Sequence, residues 1–452
     1  MQVKSLRIAV SSVRKFINIG SLSRVWNLVK KFHAADIASL MEHLTFRERM
    51  VLFNTLYEND KETAVDVIRE IEPEDAAQIF KKCPIDQITD IFHLSAPDDV
   101  AAIMPFFSDD LKETVLEAME DKPSEDLLEL LEYEEETAGR IMSPNFYALN
   151  QNTKVSDTIT AMQLGGDVES AFYLYVVDDQ DHLLGVVSIR QVLFSQPNTS
   201  LKSIMHTDLI IVSTDTDQEI VARNVADYNL VAIPVVDDDN VLVGVVTVDD
   251  IIDVIDKEAT EDMYKMVSLD STDRILDSPL SSIKKRLPFL LFSLLTASIA
   301  PLIVNSFTGT IEQVVKLAVF IPLVMALGGI AGNQTIAIIV REIAIGQTDW
   351  LSARKALLKE IVVGLVNGLV IGSITGILSF LIYDNYYFGL IIGVAIIINL
   401  FVAAFMGTLI PLILKLIKLD PALGSVNLLT MCTDSIGVLT YLGLGTIFLN
   451  HL

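Results

Sequence analysis

The chain has 452 residues, 51% of them hydrophobic, yet Lys and Arg total 33 against 59 Asp and Glu, a formal net charge of −26. That length is about three average domains, which excludes one compact fold, and an acidic front half argues against direct nucleic-acid binding, whose phosphate contacts need clustered Lys and Arg. Residues 281–452 hold 10 basic and 7 acidic side chains, leaving 23 and 52 to residues 1–280, so net charges of +3 and −29 face two different solvents.

Residues 1–32 are a basic segment carrying Lys4, Arg7, Arg14, Lys15, Arg24, Lys30 and Lys31. Its longest apolar run, Ile8-Ala9-Val10, is too short for a secretory signal. It reads as a basic cytosolic helix, either lying against anionic lipid or simply solvated. Residues 33–133 follow as an acidic domain of short amphipathic helices that stack as a solenoid. Helix starts are marked by Glu72-Pro73-Glu74-Asp75 and Ala96-Pro97-Asp98-Asp99, where proline in the first turn and carboxylates behind it suit the N-terminal dipole.

A repeat occupies 134–200 and 201–256. Val176-Val177-Asp178-Asp179 leads to Leu184-Gly185-Val186-Val187-Ser188, and Val235-Val236-Asp237-Asp238 leads to Val243-Gly244-Val245-Val246-Thr247. Ile141-Met142 and Ile204-Met205 open the two copies. Each copy reads as strand, acidic turn, strand and helix. The pair resembles tandem CBS domains, regulatory modules that bind adenosine nucleotides or metals. In that family's nucleotide signature an Asp stands three positions after Ser or Thr. The second copy has it as Thr247 and Asp250, whereas the first has Gln191 after Ser188. Half a nucleotide site for ATP or a related adenosine nucleotide is therefore expected, with a purely structural repeat as the alternative.

A helix starting near Asp249 leads into the connecting segment 257–284. It carries Asp249, Asp250, Asp253, Asp256, Glu258, Glu261 and Asp262. Such a run is either a solvated face or a set of charges that repel until a counter-ion bridges them. Residues 285–452 form a transmembrane domain with apolar spans expected at 287–307, 314–340, 356–383, 386–414 and 423–450, each long enough to cross the bilayer. Nine basic residues, Lys284, Lys285, Arg286, Arg341, Arg354, Lys355, Lys359, Lys415 and Lys418, fall on one side, and Lys316 alone on the other. The positive-inside rule then places the N-terminus in the cytoplasm and the C-terminus outside a multi-pass cell-membrane protein. Gly364, Gly368, Gly372 and Gly376 invite close helix contact, either within one chain or across a homodimer.

Among ionisable groups, Asp434 fits deep placement, halfway along the last span in Thr430-Met431-Cys432-Thr433-Asp434-Ser435. A carboxylate there needs a cation, a proton or a hydrogen-bonding partner. The second span adds Gly328, Gly329, Asn333 and Gln334 after Pro322, whose missing donor frees a backbone carbonyl. Such an all-oxygen set suits a hydrated Mg²⁺ held by one or two carboxylates. The two cysteines, Cys83 and Cys432, make no disulfide framework and read as a reducing compartment. No phosphate-cradling loop and no nucleophile–base pattern point to an enzyme.

In this order, acidic helical domain, CBS pair, connecting helix and five spans resemble the MgtE family of magnesium channels. Glu258-Ala259-Thr260-Glu261-Asp262, Ala331-Gly332-Asn333-Gln334, and Asp420-Pro421-Ala422 followed by Asp434 carry the resemblance. It implies a multidomain integral membrane protein with an all-α superhelical N-domain, an α/β CBS pair, a plug helix and a five-helix membrane domain. It further implies a homodimer with a pore lined by the second and fifth spans and Asp434 on its axis; Asn427 is expected in that lining, although Ser425-Val426-Asn427 departs from the family's usual Ser-Gly-Pro. Cytosolic Mg²⁺ would close the pore by binding candidates Asp98, Asp99, Asp249, Asp250, Asp253, Glu258, Glu261 and Asp262. Ile330 stands where the family usually has Asn, which leaves open a broader divalent transporter admitting Co²⁺ or Mn²⁺. A non-conducting CBS-type cation sensor is the remaining alternative.

Overall fold

A computed structural model describes residues 3–119, 123–164, 172–273, 279–344 and 350–452, and the chain divides into two units, Met1–Ile255 and Asp256–Leu452. In the first unit, short helices are set by their caps. Thr45 and Glu48 form a reciprocal capping box at the start of Phe46–Asn59, and Asp60 caps Lys61–Arg69. Pro73 and Pro97 stand in the first turns of Pro73–Phe80 and Pro97–Ile103, where their missing N–H costs nothing, with Glu74-Asp75 and Asp98-Asp99 behind them. The rings of Phe53, Phe92 and Phe107 surround Phe80, with centroids 6.0, 5.3 and 6.4 Å from it.

The basic N-terminal segment is neither free nor merely solvated. Helix Val3–Asn18 buries Ala9, Val10 and Val13 in this core, and the Arg14 Nε donates to Glu48 Oε1 at 3.0 Å. An amphipathic stripe of small apolar residues makes that docking possible, and it turns the basic face outward.

Two three-stranded sheets follow. In the first, β1 (Ala148–Asn150) is parallel to β2 (Tyr173–Val177), which is antiparallel to β3 (Leu183–Ser188). In the second, β4 (Val212–Ser213), β5 (Ala232–Val236) and β6 (Leu242–Thr247) repeat that order. The register repeats too: Tyr173 pairs with Ser188, and Ala232 with Thr247. The opening motifs are exchanged between the copies. Ser143 pairs with Val245, and Val186 with His206. Met142 covers Gly244 and Met205 covers Gly185, so any side chain at either glycine would collide with the methionine of the other copy.

Helix Val248–Met266 continues from β6 across the division between the units. It ends well before residue 284. Turns follow it, residues 274–278 of the expected connecting segment lie outside the described residues, and the next helix begins at Pro279.

Among its described residues the second unit contains five candidate membrane spans, Pro279–Ser306, Val315–Ala344, Ser352–Tyr383, Tyr386–Leu416 and Ser425–Ile447. The first is interrupted at Ser298, between helices Pro279–Ala297 and Ile299–Ser306. The second opens as a 3₁₀ turn, Val315–Phe320, before helix Ile321–Ala344. The fourth is the most enclosed: the second, third and fifth spans pack against it, and the first packs against the fifth. The glycine ladder of the third span lies against it: a Cβ at Gly372 would come within 2.6 Å of the Gly393 carbonyl, and one at Gly376 within 2.8 Å of the Gly389 carbonyl. Those glycines serve close packing inside one chain.

Candidate functional site

Asp434 sits nine residues into the fifth-span helix Ser425–Ile447, about 14 Å along its axis. It is half-buried, and no hydrogen-bond or ion-pair partner for it is found among the described residues. Beside it the Ser435 Oγ is enclosed without a partner. Asn333 lies at a comparable depth on the second span, about 17 Å from Ala344. Gly332 and Leu429 bring these two helices together.

The second span is sharply two-faced. Gly328, Gly332, Thr335, Ile336, Ile339 and Val340 are buried, while Ile330, Asn333 and Gln334 are exposed on the other side. Asn333 and Gln334 have no partner among the described residues. Two neutral amides and an aspartate at mid-span, without partners among the described residues, form an oxygen-rich set suited to a hydrated hard cation.

Three expected lining residues have other surroundings. Pro322 is in the first turn of its helix, where no mid-helix carbonyl is freed, because that turn's N–H groups lack intrahelical partners anyway. Gly328 is packed against Asn399 of the fourth span, whereas a side chain at Gly329 would meet nothing within 4 Å. Asn427, in the first turn of the fifth span, donates from Nδ2 to Ser268 Oγ at 3.2 Å. It thereby ties the connecting segment to that span.

The end of helix Val248–Met266 is anchored at the same place. Met266 packs with Ile336, Val340, Ala422 and Leu429. The Lys265 Nζ is 2.6 Å from Asp420 Oδ2 and also pairs with Glu261. Burial alone would lower the Lys265 pKa, but hydrogen bonds to Asp420 and Glu261 outweigh it and raise it. Asp262 is raised by burial and then by Asp420. Lys265 is thus a tethered cation among three carboxylates. Lys265→Gln leaves them facing one another, and the expected result is roughly tenfold faster hydrogen exchange over 258–268, the loss of one half-buried charged hydrogen bond, with added Mg²⁺ restoring protection. Unchanged exchange would remove this role from Lys265.

A second carboxylate cluster lies within the first unit. Asp98 and Asp99 start helix Pro97–Ile103, Asp249 and Asp250 start helix Val248–Met266, and Arg69 ends helix Lys61–Arg69. The Arg69 Nη2 donates to Asp249 Oδ2 at 3.3 Å, and its Nε is 3.9 Å from Asp99 Oδ2. Asp98 has no such cation. Burial, then Asp99 and Asp250, push its pKa up to about 8, and its Oδ1 is enclosed without a partner. Asp250 is raised by burial despite its hydrogen bond from Thr247. Thr247 and Asp250 stand where the first copy has its Ser188–Gln191 capping box, so Asp250 holds Thr247 at the helix start as well as being a nucleotide candidate.

The structure therefore gathers Asp98, Asp99, Asp249 and Asp250 in one cluster, and Glu261 and Asp262 at the Lys265 anchor. Asp253 and Glu258 lie on the same helix between them. Sequence reasoning missed Glu360, only 4% exposed inside the third span. Its signal was present, a carboxylate within 356–383, but the neighbouring Lys359 made the pair look interfacial.

Family models match most of the chain: the MgtE intracellular N domain at 32–136, CBS domains at 138–197 and 201–257, and the MgtE divalent cation transporter domain at 321–444. A magnesium transporter MgtE of Thermus thermophilus is 32% identical over 71% of this chain and 72% of its own length. The chain belongs to the MgtE family. An MgtE of Enterococcus faecalis is 31% identical over 71% of each chain. A solved MgtE cytosolic domain, described as that of a Mg²⁺ channel in complex with ATP, is 30% identical, with a TM-score of 0.51 over 54% of this chain and 99% of its own. As an MgtE this is a multi-pass membrane transporter and not an enzyme. On its second span Ile330 is 58% exposed, on the face that carries Asn333.

Proposed function

We propose that the chain conducts Mg²⁺ along a path lined by the second and fifth spans and centred on Asp434, as one protomer of a homodimer. The observation that carries this reading is the mid-span set of Asp434, Asn333 and Gln334, oxygen-bearing side chains without partners among the described residues. Hydrocarbon is a poor surrounding for such groups, so a second copy placing the same residues opposite them would give the ion two carboxylates and keep amides from lipid. The basic loops orient the N-terminal unit to the cytoplasm. Cytosolic Mg²⁺, bound by the acidic clusters at Asp98 and around helix Val248–Met266, closes the path by cancelling carboxylate repulsion. An adenosine nucleotide at the CBS pair, near Thr247 and Asp250, is a further regulatory ligand of this reading, drawn from the ATP-bound relative.

Expression in a Mg²⁺-transport-deficient host tests this function. Growth at low external Mg²⁺ is the expected result, and no rescue by a membrane-inserted chain would leave the cation-sensor reading in its place. Ile330→Asn tests selectivity. Replacing an exposed apolar side chain on the path's face by an amide adds a water-binding group, and uptake from mixed Mg²⁺ and Co²⁺ is expected to shift toward Mg²⁺ by a few-fold, about one weak hydrogen bond. An unchanged ratio would take Ile330 off the path.

A further inference from the structure

We propose that Glu360 and Asn399 are positioning residues that fix the rotational setting of the second span and so aim Asn333 at the ion path. This rests on the reading of that span as path-lining.

The two polar contacts grip one face of the helix. The Asn399 side chain is fully buried in the fourth span, and its Nδ2 donates to the Val324 carbonyl at 2.7 Å. From the third span, Glu360 accepts from Thr335 Oγ1 at 3.1 Å, and its other oxygen lies 3.1 Å from Lys359 Nζ. Val324 and Thr335 are eleven residues apart, which at 3.6 residues per turn is about 17 Å of rise and within about 20° of a whole number of turns. Asn333 lies about 160° around the helix from Thr335, on the opposite side. A helix held at one point by apolar contact alone can roll; held by directional hydrogen bonds at two heights on one face, it cannot roll without breaking both.

Asn399 extends this control to the fifth span. It fills the space left by Gly328 on the second span and Gly437 on the fifth, where a Cβ would come within 2.7 Å of its Nδ2. Gly437 is one turn from Asp434. One amide thereby sets the distance between the two path helices, and Glu360 secures the phase of one of them nearer Ala344. Neither residue touches the ion.

The test uses the full-length chain in liposomes with Cys83→Ser and Cys432→Ser, carrying Asn333→Cys, and follows its modification by a water-soluble methanethiosulfonate. With Glu360 and Asn399 intact, modification is expected. Glu360→Ala or Asn399→Leu slows it about tenfold, the loss of one buried or charged hydrogen bond, at an unchanged thermal transition, whereas Glu360→Gln, which still accepts from Thr335, stays within about twofold. Thr335→Val removes the donor alone and decides the matter if Glu360→Ala does not fold. Equal rates in all these variants overturn the proposal. So does a slowing matched by loss of the thermal transition, because packing then explains both. If the thiol is unreactive even with both positioning residues intact, the path assignment itself fails, which separates that failure from this one.

Discussion

Asp434→Asn is expected to reduce Mg²⁺ uptake to the level of protein-free liposomes while the chain becomes no less stable. The opposite signs follow from one fact. Asp434 lies halfway along a membrane span with no hydrogen-bond or ion-pair partner among the described residues. An ionised carboxylate at such a depth costs at least about 2.5–3.5 kcal/mol on insertion scales. Asparagine keeps the shape and removes that cost, so thermal stability holds or rises. It also removes the charge that replaces part of the ion's hydration, and flux disappears. A structural aspartate would give the reverse, a lowered thermal transition and normal uptake.

The second large effect concerns pH. Asp98 has its pKa pushed up to about 8 by burial and by Asp99 and Asp250, so the folded unit holds a proton that the unfolded chain has released by about pH 4. Stability from this group is therefore complete at low pH and is lost as pH rises through that window toward 8. Mg²⁺ competes for the same oxygen. Its apparent affinity for the cluster is expected to increase as pH rises from 6.5 to 8.5, by up to about tenfold for each unit below the raised pKa. Calorimetric titration of the full chain in detergent at those two values measures it. Asp98→Asn should bind weakly at both and show no pH dependence from this site. A wild-type affinity that is flat with pH would remove Asp98 from the cation cluster.

Much of this is legible in the amino-acid sequence. The five spans were visible because bilayer thickness imposes a length that composition reveals, and the CBS repeat because its 59-residue offset recurs in strand register, Tyr173 with Ser188 and Ala232 with Thr247. Asp434 stood out as a lone charge in an apolar run. What stayed hidden depended on facing. Gly328 and Asn333 are five residues apart on one helix, yet one packs on Asn399 and the other faces outward. Pro322 looked like a kink because the sequence does not mark where the 3₁₀ turn ends and the helix begins. Glu360 was concealed by its neighbour Lys359, and the Asp98 cluster by distance along the chain, since Arg69, Asp98 and Asp250 meet only after the helical domain folds onto the second CBS copy.

The acidic half of the chain, net −29 by sequence, acquires a use only if its carboxylates respond to the ion that the other half carries. Mg²⁺ influx into liposomes, recorded while Mg²⁺ on the side of the N-terminal unit is clamped at successive values, tests this most directly. Influx should be high at low clamped Mg²⁺ and fall several-fold as it reaches the millimolar range. Influx that is the same at every clamped concentration would contradict closure by bound Mg²⁺.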